Sequence, residues 1–239
     1  MEVHHHPELP HGGKKNFREY LLEGFMIFIA VFMGFVAENI REHISDSGKE
    51  KNYIRGLYSD FKKDSAQLAD VLNIGDKLSK GQDSLLDLLK ERSPTSGQTE
   101  EIYRLFFKYA TILPEFNSTE GTLNQLINSG NFRLIEDHGL ADSISSYYDN
   151  VKAAAFQASV NNTSALDCIQ FSQNIFKLDY GLHPSEPNKK FITFDAATIE
   201  KYRNKLMQMR ISQQYYVKVD LGDLQKSCLH LLQMIKEHK

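Results

Sequence analysis

The side chains able to do chemistry in this 239-residue chain are its histidines, two cysteines and a few carboxylates placed on or beside apolar runs. His4, His5 and His6, with His11, bring imidazoles that could hold a soft divalent metal. They sit in a tail broken by Pro7, Pro10, Gly12 and Gly13, so nothing preorganises them and no metal site is expected. His138, His183 and His230 are scattered, none with a second ligand at metal spacing. Cys168 and Cys228 would permit a disulfide in an oxidising compartment, although two buried thiols are the simpler expectation. Asp60 and Asp64, interleaved with Lys62 and Lys63, read as exposed charge pairs on a helix. No phosphate-binding glycine loop, HExxH, GxSxG or kinase-like set occurs. No catalytic residue and no cofactor is therefore expected, and the chain does not read as an enzyme. A net charge of −3, with no basic stripe interleaved with aromatics, argues against a nucleic-acid partner.

The dominant feature of the chain is the apolar run GFMIFIAVFMGFVA, Gly24 to Ala37. Its fourteen residues rise about 21 Å as a helix, and adding Leu21 and Leu22 reaches roughly 25 Å, against about 30 Å of hydrocarbon. Lys14, Lys15 and Arg18 precede the run, Tyr20 sits at the expected interface, and Glu38, Asn39, Arg41 and Glu42 close the far side. A cleaved leader would want small residues before the cut, where this chain has Phe35. A core helix of a soluble protein is the other alternative. The flanks favour a transmembrane helix over 20–38, after a polar, His-rich tail over 1–19. The basic cluster before the run favours a cytoplasmic N-terminus, opposed by Arg41, Lys49, Lys51 and Arg55 behind it.

Inside this helix Ala30, Gly34 and Ala37 form a small-residue ridge that would let another helix approach. Glu23, two turns before Ala30, lies on nearly the same side and could make an intramembrane polar contact or snorkel to the interface.

The rest of the chain reads as successive helices. A long juxtamembrane helix within 39–92 carries Ile54, Leu57, Phe61, Leu68, Leu72, Leu78, Leu85 and Leu89 at three- and four-residue steps or their multiples. Asp64, Lys80 and Gln82 are expected on its polar face, and Gly48 and Gly75 are where it could bend. Ser93-Pro94-Thr95-Ser96-Gly97 ends it. Over 93–239 a helix capped by Thr99 should run to about Leu113. A short one follows from Ser118 or Thr119 to Gly130-Asn131. A long helix from about Asp137 to Lys177 carries Leu140, Ile144, Tyr147, Tyr148 and Val151, with Ala153, Ala154, Ala155 and Ala158 as a close-approach face. Asp179 to Asp195 is a loop, with Lys190 to Phe194 its only strand-like fragment. A last helix from about Ala196 to Lys236 has Ile199, Tyr202, Leu206, Met209, Tyr216, Val219, Leu224, Cys228, Leu231 and Ile235 on its seam. The expected class is all-α: an N-terminal transmembrane helix followed by an elongated antiparallel helical bundle with long helices.

Two segments carry a resemblance. Gly34-Phe35-Val36-Ala37-Glu38-Asn39-Ile40-Arg41-Glu42 resembles the anchor junction of an uncharacterised bacterial family of single-span membrane proteins. Thr122-Leu123-Asn124-Gln125-Leu126-Ile127-Asn128-Ser129-Gly130-Asn131-Phe132-Arg133-Leu134-Ile135, with the paired Tyr147 and Tyr148 in the next helix, is similar to that family's mid-chain element. The resemblance implies a bacterial inner-membrane location and a helical domain; it transfers no activity. Typical members carry a tryptophan at the junction and this chain has none, so its interfacial anchoring must differ.

The mid-chain element also has a direct reading. Gly130 can take the left-handed conformation that ends a helix and Asn131 can bond local backbone, letting Phe132, Leu134 and Ile135 turn inward. The corner is then either a packed helix junction or a partner or ligand site built on Gly130, Asn131 and Arg133.

Together these features imply a protein that contacts the lipid bilayer and works by binding other membrane proteins or a second copy of itself. The leading expectation is an accessory or scaffold subunit of a cell-envelope complex with a periplasmic helical domain. The alternative is an extracytoplasmic helical-bundle sensor for a small ligand.

Overall fold

The computed structural model describes residues 16–237, and every regular element among them is helical. Helix α1 spans Phe17–Leu88, α2 Ser96–Tyr109, α3 Gly121–Asn128, α4 His138–Ser172, α5 Ala196–Tyr215 and α6 Gly222–Glu237. Short 3-10 turns occupy Asn131–Leu134 and Leu178–Gly181, and a π-helical segment, Tyr216–Leu221, joins α5 to α6. The chain divides into two units, Met1–Asn52 and Tyr53–Lys239. The described part of the first is helix alone; the second holds the bundle.

Within the second unit the three long seams follow one rule. On α1 the buried positions 57, 61, 64, 68, 71, 75, 78, 82 and 85 form a stripe in steps alternating between four and three residues, flanked by the buried Asp60, Gly81 and Leu86. On α4 the buried residues Leu140, Ile144, Tyr147, Val151, Ala154, Asn161, Ala165, Cys168 and Ser172 keep the same spacing, with the half-buried Ala158 completing it. On α5 the run is Ile199, Tyr202, Leu206, Met209 and Gln213. A 3.5-residue apolar repeat keeps one stripe of each helix facing its neighbours, which is why these segments pack as a bundle. The ion pair Lys205–Asp167 and the approach of Cys228 to Tyr147 set α4 antiparallel to α5 and α6. Asp83–Arg210 and Asp76–Lys218 set α1 antiparallel to the same pair.

Two hydrophobic clusters result. One joins Leu57, Phe61 and Leu68 of α1 to Leu126 of α3, Ile144 of α4 and Leu231 of α6. The other joins Leu85 and Leu89 to Phe106 of α2, Cys168 of α4, Tyr202 of α5 and Phe176 in the segment after α4. Gln82 and Gln213 are both buried: Gln82 Nε2 donates to Gln213 Oε1 at 2.7 Å and to the Tyr109 carbonyl at 3.0 Å. Gln82 is thus a core residue and not part of an exposed polar face.

Several local expectations need correction. The cap of α2 is Thr95, not Thr99: its Oγ1 accepts the Gln98 N–H at 3.3 Å and the Gln98 side chain accepts the Thr95 N–H at 2.8 Å. Thr99 lies one turn inside and is buried. We expect Thr95→Ala to cost about 1 kcal/mol in a thermal or denaturant melt, because the Gln98 N–H loses its acceptor. Lys190–Phe194 forms no strand; Ile192 N–H instead donates to the Ile175 carbonyl at 2.8 Å. Helix α1 is uninterrupted at Gly48 and Gly75. Of the alanines on α4, Ala154 is buried and Ala158 half-buried, while Ala153 and Ala155 are exposed.

The seam of the last helix departs from expectation at Val219, which is 41% exposed. Val217 and Leu221 are buried in its place. A π segment hydrogen-bonds i to i+5 and inserts one residue into the helical phase. That insertion moves the apolar stripe from the Met209–Gln213 phase to the Leu224–Cys228–Leu231–Ile235 phase.

Candidate functional site

In the first unit the apolar run lies within α1, whose helical hydrogen bonding continues beyond both ends of it. This matters because hydrocarbon offers no partner to a free N–H or C=O. The stretch is long and apolar enough to cross a membrane, and none of that apolar window is buried inside the protein. Eighteen helical residues rise about 27 Å, close to the hydrocarbon thickness. Phe25, Met26, Phe28 and Phe35 are between 59% and 72% exposed, which for a helix in water would be an unusually large apolar surface. Ala30, Gly34 and Ala37 are all exposed, and a Cβ added at Gly34 would meet nothing within 4 Å. The helical repeat places the three on one face, with Glu23, also exposed, on nearly the same side.

The mid-chain corner is built as a packed junction. Gly130 has φ +66°, the left-handed conformation that a Cβ would strain, and it turns the chain out of α3. Asn131 Nδ2 donates to the Tyr53 hydroxyl on α1 at 2.9 Å, which fixes the turn against the helix. Ile135 is buried and Phe132 and Leu134 half-buried, whereas Arg133 is exposed. Asn131 therefore has a structural hydrogen bond within this junction, while the Arg133 side chain stands in solvent.

The group that sequence reading misplaced is Asp60 with Asp64. Asp64 is fully buried and Asp60 is 6% exposed; Asp60 keeps an ion pair with the exposed Lys63 at 3.8 Å, but neither carboxylate is solvated as expected. Asp64 Oδ1 accepts the Thr119 N–H at 2.7 Å, and Oδ2 accepts the Tyr147 hydroxyl at 2.8 Å. Asp60 Oδ2 accepts the Thr122 N–H at 3.0 Å. Helix α3 has no side-chain cap of its own, so neither Ser118 nor Thr119 caps it. Two carboxylates one turn apart on α1 meet the donors at its start, a favourable place for negative charge. Tyr148 donates to the Thr119 carbonyl at 3.2 Å, completing the clamp on this segment.

Burial raises the Asp64 carboxyl above the ordinary aspartate range, opposed by its bonds from Thr119 and Tyr147. Burial also pushes the Cys228 thiol, which donates to the Phe61 carbonyl at 3.1 Å, up to about 12. The Cys168 thiol is likewise pushed to about 12. Both cysteines are free and buried, hence protonated and poorly reactive at neutral pH. The arrangement orders a chain segment; it presents no nucleophile beside a base. The sequence signal was available: Asp64 occupies the step between Phe61 and Leu68 on an otherwise apolar seam.

Among the described residues no group of three or more His, Cys, Asp or Glu could hold a metal ion. His4, His5, His6 and His11 lie outside the described residues. The chain matches no protein-family model, no curated protein and no solved structure.

Proposed function

We propose that this protein is a single-span, membrane-anchored helical module that works by binding, as an accessory or scaffold subunit of a bacterial cell-envelope complex. The observation that carries the reading is the exposed Ala30–Gly34–Ala37 ridge on a helix apolar enough to cross a bilayer. In lipid there is no hydrophobic drive between helices, so association depends on close backbone approach at small residues. The N-terminus is assigned to the cytoplasm on the basic residues before the span, with the helical unit on the periplasmic side of the inner membrane. The resemblance of the junction and mid-chain segments to a bacterial single-span family supports the same placement. The carboxylate clamp supports a binding role over catalysis, since its buried polar groups are spent on holding the bundle together.

The test is extraction of the full chain from native membranes in mild detergent, followed by the composition and mass of what comes with it. We expect other membrane proteins in fixed ratio, and Gly34→Ile to reduce their recovery by roughly tenfold without lowering the amount of chain in the membrane. A chain that emerges alone, or partners indifferent to Gly34→Ile, would overturn the proposal.

A further inference from the structure

We propose that a cleft between α2 and the segment that follows α4 binds a small organic anion with a flat apolar body. This goes beyond the role assigned to the anchor and does not depend on it. The cleft, of about 310 Å³, is lined by Tyr103, Phe107 and Tyr180 below and by Arg104, Lys108 and Lys189 at its mouth, with Glu100 its one carboxylate. That volume lies at the lower end of small-molecule sites, which combine an apolar lining with a few placed polar groups.

The cleft is preformed. The Tyr103 hydroxyl donates to the Lys190 carbonyl and accepts the Lys177 N–H, both at 3.0 Å, so one side chain of α2 pins both ends of the opposing segment. Tyr103 and Tyr180 meet edge to face at 5.1 Å, and Tyr103 and Phe107 stack at 6.2 Å. A Cβ at Gly181 would come within 2.8 Å of the Phe107 ring, so glycine lets the backbone of the wall close on the floor. Tyr103 and Tyr180, 1% and 6% exposed, are the fixed backing of the floor, and the half-buried Phe107 offers the accessible ring surface without first losing side-chain entropy.

The mouth sets the charge of the ligand. Lys189 Nζ donates to the Pro184 and Glu186 carbonyls at 2.7 and 2.9 Å and lies 5.8 Å from the Tyr180 ring centre, which anchors a cation over the aromatic wall. Lys108 and Arg104 stand one turn apart on α2. Arg104 is paired with Glu101 at 2.5 Å, whereas Lys108 has no ion pair among the described residues. With Arg104 offset by Glu101, Lys108 and Lys189 against Glu100 leave the mouth net positive, which favours a carboxylate or sulfonate over a cationic ligand. An apolar ring system attached to that group would rest chiefly on Phe107, backed by Tyr103 and Tyr180.

The test uses the full chain in lipid nanodiscs, titrated calorimetrically with 2-naphthoate and, in parallel, with its neutral amide; empty nanodiscs give the blank. We expect saturable one-site binding of the naphthoate, with the amide about tenfold weaker and Lys108→Glu weakening naphthoate about tenfold. Lys108 is exposed, so this substitution should leave the melting temperature unchanged. Lys152→Glu, at a residue 77% exposed on α4, should leave binding unchanged. Phe107→Ala should weaken both ligands alike by removing part of the floor. The proposal is overturned by the absence of saturable heat up to about 10 mM naphthoate, by equal affinity for the amide, or by indifference to Lys108→Glu. None of these results changes what co-purifies from native membranes, so the two proposals fail separately.

Discussion

Asp64→Ala should destabilise the bundle by about 3 kcal/mol, since it strands the Thr119 N–H and the Tyr147 hydroxyl in the core. For a unit of this size that is a fall of roughly 6–12 °C in melting temperature. Asp64→Asn keeps one acceptor for the Thr119 N–H and offers an amide donor to a Tyr147 oxygen that can accept instead, so its loss should be about 1 kcal/mol. The pH dependence distinguishes the two effects. Burial raises the folded pKa of Asp64 above its unfolded value near 4, so within that window the folded state binds more protons than the unfolded state. The contribution of this carboxyl is then greatest below the unfolded pKa and declines as pH rises through the folded one. Melts of the wild type and Asp64→Asn across pH 3–8 should therefore converge or cross as pH rises. A wild-type advantage that instead grows with pH would show that the hydrogen bonds outweigh desolvation and hold the carboxyl down.

Gly75→Ala should also destabilise, by about 1–3 kcal/mol, although helix propensity alone predicts a gain approaching 1 kcal/mol. Gly75 lies in the interior of α1, and a Cβ there would come within 2.5 Å of Val217 Cγ1 and 3.1 Å of Val217 Cβ. Val217 belongs to the π segment, so the pressure falls on a stretch whose phase is already offset from its neighbours. The decisive comparison is made in a Val217→Ala background, where the space for the new methyl exists. There Gly75→Ala should become neutral or stabilising, a reversal of sign that a double-mutant cycle reads directly. Destabilisation of equal size in both backgrounds would mean that the close approach is not what holds glycine at this position. Gly81 is a second case, with its added Cβ only 2.1 Å from Tyr109 Cγ.

Much of the helical layout was legible in the sequence because it rests on local rules. The Gly24–Ala37 run, the seams of α4 and α5, a helix break ahead of Ser93–Gly97 and the left-handed Gly130 all follow from periodicity, turn chemistry or hydropathy. Several missed features share one cause: each is a polar or small residue standing at a seam position, where residue type alone points to the solvent face or a bend. Asp64, Gly75 and Gln82 fill the steps between Phe61 and Leu85 on α1, and Gln213 fills the step after Met209 on α5. Counted as members of the seam, they make its spacing regular; counted by residue type, they look like the solvent face.

Which of those readings holds depends on groups far away in sequence. Asp64 can be buried because the Thr119 N–H and the Tyr147 hydroxyl are there to meet it, and Gln82 because Gln213 and the Tyr109 carbonyl are. By itself the sequence determined that the chain is helical, where its seams run, and that one stretch of α1 is apolar enough for a bilayer, since a helix needs only its own backbone and a stripe of side chains. Tertiary structure alone decided the carboxylate clamp on α3, the one-residue shift at Tyr216–Leu221 and the aromatic cleft beside α2. Each of these exists only where hydrogen-bond partners or ring faces from separate helices arrive at the same place, and no local preference records that meeting.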